Sequence, residues 1–335
     1  MVPAWVSRVI PVLRLARVST AFAAVSNVWF VILWSREHEF EQRTGPVWDA
    51  PLALLLLGGG VMAIGLYAYG AALNDLLDVS RDRAFKRQRP LPTGGVSVEL
   101  ASAAVAFTMI LAVLGSTVFG TRGVVLTVLL TLAILVFNAA ARFVPAVGLV
   151  LLALIYAAHS LVPNLSLRFV WPVWLIMTHA LGVAWAAHAI GRKVPPISQR
   201  AIVAAGGGWL AASGILLFVG YRRSLVPGLP EDASQELWPV WVEPWVAVAP
   251  LALVVVFVLF AWRRVSEVGL GQRAAEKLTR YGALWMPLYG CAWLLGAGLV
   301  GEGLVLALLA GVALLGLTVL REVYAVVERP IEYRR

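Results

Sequence analysis

The sequence predicts an all-α fold, a polytopic transmembrane helical bundle of about nine to ten spans, and three observations predict it. Of 335 residues, 61% are apolar and only 13% are charged, against about 25% charged in an ordinary soluble domain. Apolar runs of roughly 20 residues, the length that crosses a bilayer as a helix, recur along the chain. Basic residues gather on alternate connecting segments, as they do in multi-pass membrane proteins. A soluble domain of this composition cannot cover its surface with polar groups, which excludes cytosolic enzymes and nucleic-acid-binding domains. The net charge of +9 is therefore read as loop charge facing the cytoplasm, with no nucleic acid as partner. The single cysteine, Cys291, allows neither an internal disulfide nor a cysteine metal cluster.

The first span is expected over residues 15–34. It follows Arg8, Arg14 and Arg17 and has no small-residue cleavage site, so it reads as a retained helix rather than a cleaved signal peptide. Spans follow at 51–73, 98–118, 123–141, 144–163, 170–190, 200–220, 243–262, 282–300 and 303–321. The last two are separated only by Gly301 and Glu302, where a tight hairpin is expected. No connecting segment is long enough for a soluble domain, so residues 1–335 read as a single integral membrane domain. With the N-terminus in the cytoplasm, inner segments hold 21 Lys and Arg and outer segments hold 6. That split predicts an even span count and two cytoplasmic termini, in the inner membrane if the cell is prokaryotic.

One inner loop differs from the rest. Residues 74–94 read N-D-L-L-D-V-S-R-D-R-A-F-K-R-Q-R-P-L-P-T-G. At about 100° per residue on a continued helix, Asn74, Asp75, Asp78 and Asp82 point to about 0°, 100°, 40° and 80°. Four oxygen-bearing side chains then share one quarter of the helix circumference, and Gly70 leaves room one turn earlier. Three like charges this close need a counter-charge. Hard oxygen ligands suit Mg²⁺, which takes a few carboxylates and keeps other positions for water and phosphate oxygens. Arg81, Arg83, Lys86 and Arg87 could instead balance the aspartates at helical spacing. Carboxylates at the mouth of a helix bundle favour a functional role.

The run N-D-x-x-D-x-x-x-D followed by R-x-x-K-x-x-R-P-L-P-T-G resembles the first aspartate-rich motif of the UbiA superfamily of intramembrane prenyltransferases. The matching residues are Asn74, Asp75, Asp78, Asp82, Arg83, Lys86, Arg89, Pro90, Leu91, Pro92, Thr93 and Gly94. The family usually has nine spans, so a tenth is a departure. Family members often carry a Tyr and, five residues on, a Lys between spans four and five. Here Phe137 and Arg142 stand there, keeping the cation and losing the hydroxyl. The second aspartate-rich motif, expected after span six, is absent. His188 to Arg200 read H-A-I-G-R-K-V-P-P-I-S-Q-R, with no carboxylate.

The resemblance implies Mg²⁺-dependent transfer of an isoprenoid chain from a prenyl diphosphate to a lipophilic acceptor within the lipid bilayer. It implies Mg²⁺ held by Asp75, Asp78 and Asp82 as the catalytic set, with Asn74 supplementing the shell and Arg83, Lys86, Arg89 and Arg142 on the diphosphate. In place of the lost second motif, Arg192 and Lys193 offer fixed cations that can bind diphosphate oxygens without metal. His188, just before them, is the candidate base. Two other readings use the same first motif: a prenyl- or polyprenyl-diphosphate carrier or assembly factor without transfer, and a lyase or cyclase of the same diphosphate.

Overall fold

The computed structural model describes residues 21–38, 40–41, 45–85, 91–224 and 235–328. Among them there is no strand, and ten helices have 16 or more residues. The helices are α1 (Phe22–Glu37), the single turn α2 (Pro46–Asp49), α3 (Leu52–Leu77), the short α4 (Val79–Phe85), α5 (Val98–Ser116) and α6 (Gly120–Ala139). They continue with α7 (Pro145–Ser160), α8 (Trp171–Ile190), α9 (Gln199–Arg223), α10 (Val248–Val268), α11 (Gln272–Gly296) and α12 (Val300–Glu328).

Local chemistry sets the boundaries. Ser97 and Ser198 cap α5 and α9, their hydroxyls accepting from the Leu100 and Ala201 amides at 3.2 Å each, which satisfies a donor the helix cannot pair itself. Proline stands in the first turn of α7 and α8, where its missing N–H costs nothing. Five helical stretches are long and apolar enough to cross a membrane: Leu52–Leu77, Val98–Phe143, Trp171–Ile190, Gln199–Arg223 and Pro244–Val268. The second of these contains both α5 and α6. With large apolar side chains such as Leu210, Phe218, Val255 and Leu259 left exposed on α9 and α10, these stretches mark an integral membrane protein whose outer helices meet lipid.

Helix α1 lies at the centre of the packing, with twelve of its sixteen residues buried, and it touches α3, α7, α11 and α12. Helices α3 and α5 pack closely. A Cβ on Gly115 would stand 2.5 Å from the Met62 amide nitrogen and 2.7 Å from the Gly58 carbonyl oxygen, so glycine is required for that approach. Helix α11 packs against α8, α10 and α12. At the end remote from Asp78, Phe169 is surrounded by Trp34, Trp238, Trp241 and Trp293. Beneath it the buried carboxylate of Glu41 accepts from the Trp34 indole and from the amides of Arg168 and Phe169.

Two boundaries depart from the expected ones. The reversal before the last helix lies at Ala297–Leu299, and Gly301 and Glu302 are already helical in α12. The cause is Gly298, which takes φ +79°. Its amide donates to the Leu295 carbonyl at 3.1 Å and that of Leu299 to Leu294 at 2.9 Å, a Schellman closure. Helix α11 starts at Gln272 rather than near 282, because its first turns are amphipathic: Ala274, Ala275 and Leu278 are buried while Arg273, Glu276 and Lys277 are exposed. Arg8, Arg14, Arg17 and the C-terminal residues from Arg329 lie outside the described residues.

Candidate active site

Helix α3 brings Asn74 and Asp75 to its last turn and stops at Leu77. Asp78 is the cap, at φ −89° and ψ 1°, and the chain resumes in α4 with Asp82 in its first turn. The join stays nearly helical, since the Asp78 amide donates to Asn74 at 3.1 Å and the Asp82 amide to Asp78 at 2.7 Å. Asp75 and Asp82 are buried, at 6% and 3% exposure, and the Asp78 side chain is 15% exposed. Carboxylates that deep need hydrogen-bonding or charged partners. The Asn74 amide donates to Asp75 Oδ1 at 3.1 Å. Gly70, one turn earlier, admits Ile134 of α6, whose Cγ2 would lie 3.2 Å from an added Cβ.

The counter-charge comes from across the bundle. Arg142 stands in the 3-10 turn Ala141–Phe143 that ends α6. Its Nη1 donates to Asp78 Oδ2 at 3.0 Å and its Nη2 to Asp78 Oδ1 at 2.5 Å, while Nη1 also makes a short contact with Asn74 Oδ1. The guanidinium carbon lies 4.8 Å from the centroid of the Phe143 ring, a distance at which the cation is attracted to the ring face. Its Nε is buried and has no hydrogen-bond partner among the described residues. The turn is held by Gly148 of α7, where a Cβ would come within 3.0 Å of the Ala141 oxygen and the Arg142 Cα. Asn138, also buried, donates to the Ile134 carbonyl at 2.9 Å. Phe137 is partly buried and supplies no hydroxyl.

Two expectations change here. One continued helix is expected through Asn74, Asp75, Asp78 and Asp82, and these residues instead lie on two helices joined through Asp78. Among the described residues no three acidic, histidine or cysteine side chains are grouped to hold one metal ion. Both oxygens of Asp78 accept from Arg142. Asp75, Asp78 and Asp82 all carry hard oxygen donors, which fit Mg²⁺ in kind.

Arg192 and Lys193 are exposed on the loop after α8, and Arg192 adopts φ +48°, an uncommon conformation for a side chain that has a Cβ. This loop is tied to the start of α11, since a Cβ on Gly191 would stand 3.0 Å from that of Ala275. His188 Nε2 lies 2.9 Å from the Pro195 carbonyl. A carbonyl only accepts, so Nε2 carries the proton and only Nδ1 is left to act as a base. Arg83 is exposed on α4, and Lys86 and Arg89 lie outside the described residues.

No protein-family model and no curated protein sequence matches the chain. Solved structures do. A digeranylgeranylglyceryl phosphate synthase is 18% identical over 87% of this chain and 98% of its own, with a TM-score of 0.53. An apo UbiA homologue from Aeropyrum pernix K1 is 15% identical over 87% of this chain and 98% of its own, also at 0.53. A UbiA homologue from Archaeoglobus fulgidus bound to DMAPP and Mg²⁺ is 15% identical, covering 84% and 98%, at 0.52. At these identities the likeness is one of architecture, and it extends across nearly the whole length of each neighbour. The chain has the fold of the UbiA homologues.

Proposed function

We propose that this protein is an intramembrane prenyltransferase of the UbiA type, moving an isoprenoid chain from a prenyl diphosphate to a lipophilic acceptor. One observation carries the reading: buried Asp75 and Asp82 and the Arg142-bound Asp78 lie where a run of oxygen ligands ends one of the long apolar helices. Burying carboxylates is costly unless they are paired or hydrogen-bonded, and acidic groups gathered at the end of a membrane helix mark a functional site. The solved neighbour bound to DMAPP and Mg²⁺ has the same fold.

Prenyl transfer begins by ionising the allylic C–O bond, so the site must stabilise the leaving diphosphate. Asp75, Asp78 and Asp82 would hold a divalent cation, which would offset the negative charge developing there. Asn74 orients Asp75. Arg83, Lys86, Arg89 and Arg142 take the remaining diphosphate oxygens by charge-assisted hydrogen bonds, and Arg192 and Lys193 do so from the loop after α8. His188 is the proposed base, through Nδ1. The apolar helices exclude water from the allylic cation. The Asp-rich end faces the cytoplasm, with both termini, and each long helix crosses the bilayer.

The acid-free segment from His188 to Arg200 favours one alternative, a prenyl-diphosphate carrier that binds without transfer. Diphosphate release from allylic prenyl diphosphates by purified protein separates the readings. Release only when a lipid-extract acceptor is added supports the transferase. Release without acceptor indicates a lyase or cyclase, and binding with no release in either condition indicates the carrier.

A further inference from the structure

Resting on that reading, we infer that Arg142 is an interlock: it withholds Asp78 and Asn74 from the metal until a diphosphate arrives to take its guanidinium. The geometry carries this. One guanidinium holds both oxygens of Asp78 and the side-chain oxygen of Asn74. Two of the oxygen ligands that the motif offers a cation are thereby already paired to a cation. A divalent ion cannot join the same carboxylate oxygens without meeting the positive charge at contact distance, and the pair is only 16% and 15% exposed, so solvent screens that repulsion poorly. The metal therefore competes with Arg142 for Asp78.

The fork is also incomplete. Arg142 Nε is buried without a partner among the described residues, and an unsatisfied buried donor is unfavourable. A diphosphate offers a planar guanidinium several anionic oxygens at once, so it can satisfy the nitrogens that leave Asp78 as well as Nε. Diphosphate binding and metal binding then become reciprocal, each raising affinity for the other. Arg142 in this role is a positioning residue as well as a diphosphate contact. It keeps the acidic site neutralised when empty and makes metal loading conditional on substrate.

The test is Mn²⁺ binding, followed by electron paramagnetic resonance, to full-length protein in nanodiscs. It is done with and without geranyl thiolodiphosphate, an analogue that resists ionisation. Wild type is expected to bind Mn²⁺ weakly alone and about tenfold more tightly with the analogue, a coupling of about 1.4 kcal/mol. Arg142→Met is expected to bind Mn²⁺ alone more tightly than wild type, with the coupling lost. A merely structural role would weaken both. Arg142→Lys, which keeps charge but not the fork, should fall between, and it serves if the Met variant does not fold. Wild-type or weaker Mn²⁺ affinity without analogue, in whichever of the two variants folds, overturns the interlock. If wild type binds no Mn²⁺ even with the analogue, the prenyl-diphosphate reading itself fails.

Discussion

Arg142 and Asp78, 64 residues apart, meet as a two-pronged ion pair in which each carboxylate oxygen accepts from a different guanidinium nitrogen, at 3.0 and 2.5 Å. This pair joins the end of α6 to the end of α3 and places a fixed cation within the acidic motif. The chemistry proposed for the site depends on which partner Asp78 has.

Asp75→Asn and Asp82→Asn each retain shape and remove a buried carboxylate. Each is expected to lower metal-dependent diphosphate release by about 100-fold or more, the scale of losing one contact to developing charge. Circular dichroism should show unchanged helix content. Activity assays across a Mg²⁺ titration check the first expectation, and activity close to wild type in both variants would remove these residues from the site.

Arg192 and Lys193 are distinguished from topology markers by comparison with Arg263 and Arg264. The latter pair with Glu267 at 3.2 and 2.8 Å on an exposed helix end, an arrangement that contributes little to stability. Replacing Arg192 and Lys193 by Gln should abolish analogue binding, whereas the same change at Arg263 and Arg264 should leave it unaltered. Arg192→Gly offers an independent check, because glycine adopts φ +48° without steric cost. It should hold or raise thermal stability while still weakening binding.

Glu41 makes stability depend on pH. Burial pushes its carboxyl above the usual carboxylate range, against the lowering effect of the Arg168 and Phe169 amides. A folded-state pKa above the unfolded one means the folded protein holds the proton more tightly. Its stabilising contribution is complete below the unfolded pKa and is lost as pH rises through the folded one. Melting temperature in detergent should therefore fall as pH rises through the window above 4.5. Glu41→Gln should abolish that slope. It should also lower stability overall by about 1–3 kcal/mol, because its NH₂ group turns one of three acceptor positions into a donor facing a donor.

Gly115→Ala should destabilise the fold by about 1–3 kcal/mol through overpacking, since the new methyl meets the backbone of α3 at 2.5 Å. Gly206→Ala, with nothing within 4 Å of the added carbon, should be neutral or stabilising by up to about 1 kcal/mol. Thermal unfolding in the same detergent compares them.

Much of the helical layout is legible in the sequence because bilayer length, Ser97 and Ser198 caps and turn prolines all act locally. The inner half of α11 is not, because Arg273, Glu276, Lys277 and Arg280 interrupt the apolar run while alternate turns still bury Ala274, Ala275 and Leu278. Gly298 was a local signal for the last reversal, and the eye is drawn instead to the polar pair Gly301 and Glu302. At the site, Arg142 stands out in the sequence as a cation at a position the resemblance singles out. Its grip on Asp78 does not, because that depends on α3 and α6 ending side by side, a relation set by Gly70 against Ile134 and by Gly148 under the Arg142 turn.

A prenyltransferase of this kind moves an isoprenoid chain from diphosphate to lipid. Full-length protein in nanodiscs, incubated with Mg²⁺, an isotopically labelled allylic prenyl diphosphate and a lipid-extract acceptor, tests it most directly through mass spectrometry of the organic phase. A labelled product heavier than an acceptor lipid by one prenyl group is expected, formed by wild type and absent with chelator or Asp75→Asn. Label that stays on the diphosphate with wild type, across chain lengths and acceptors, would contradict it.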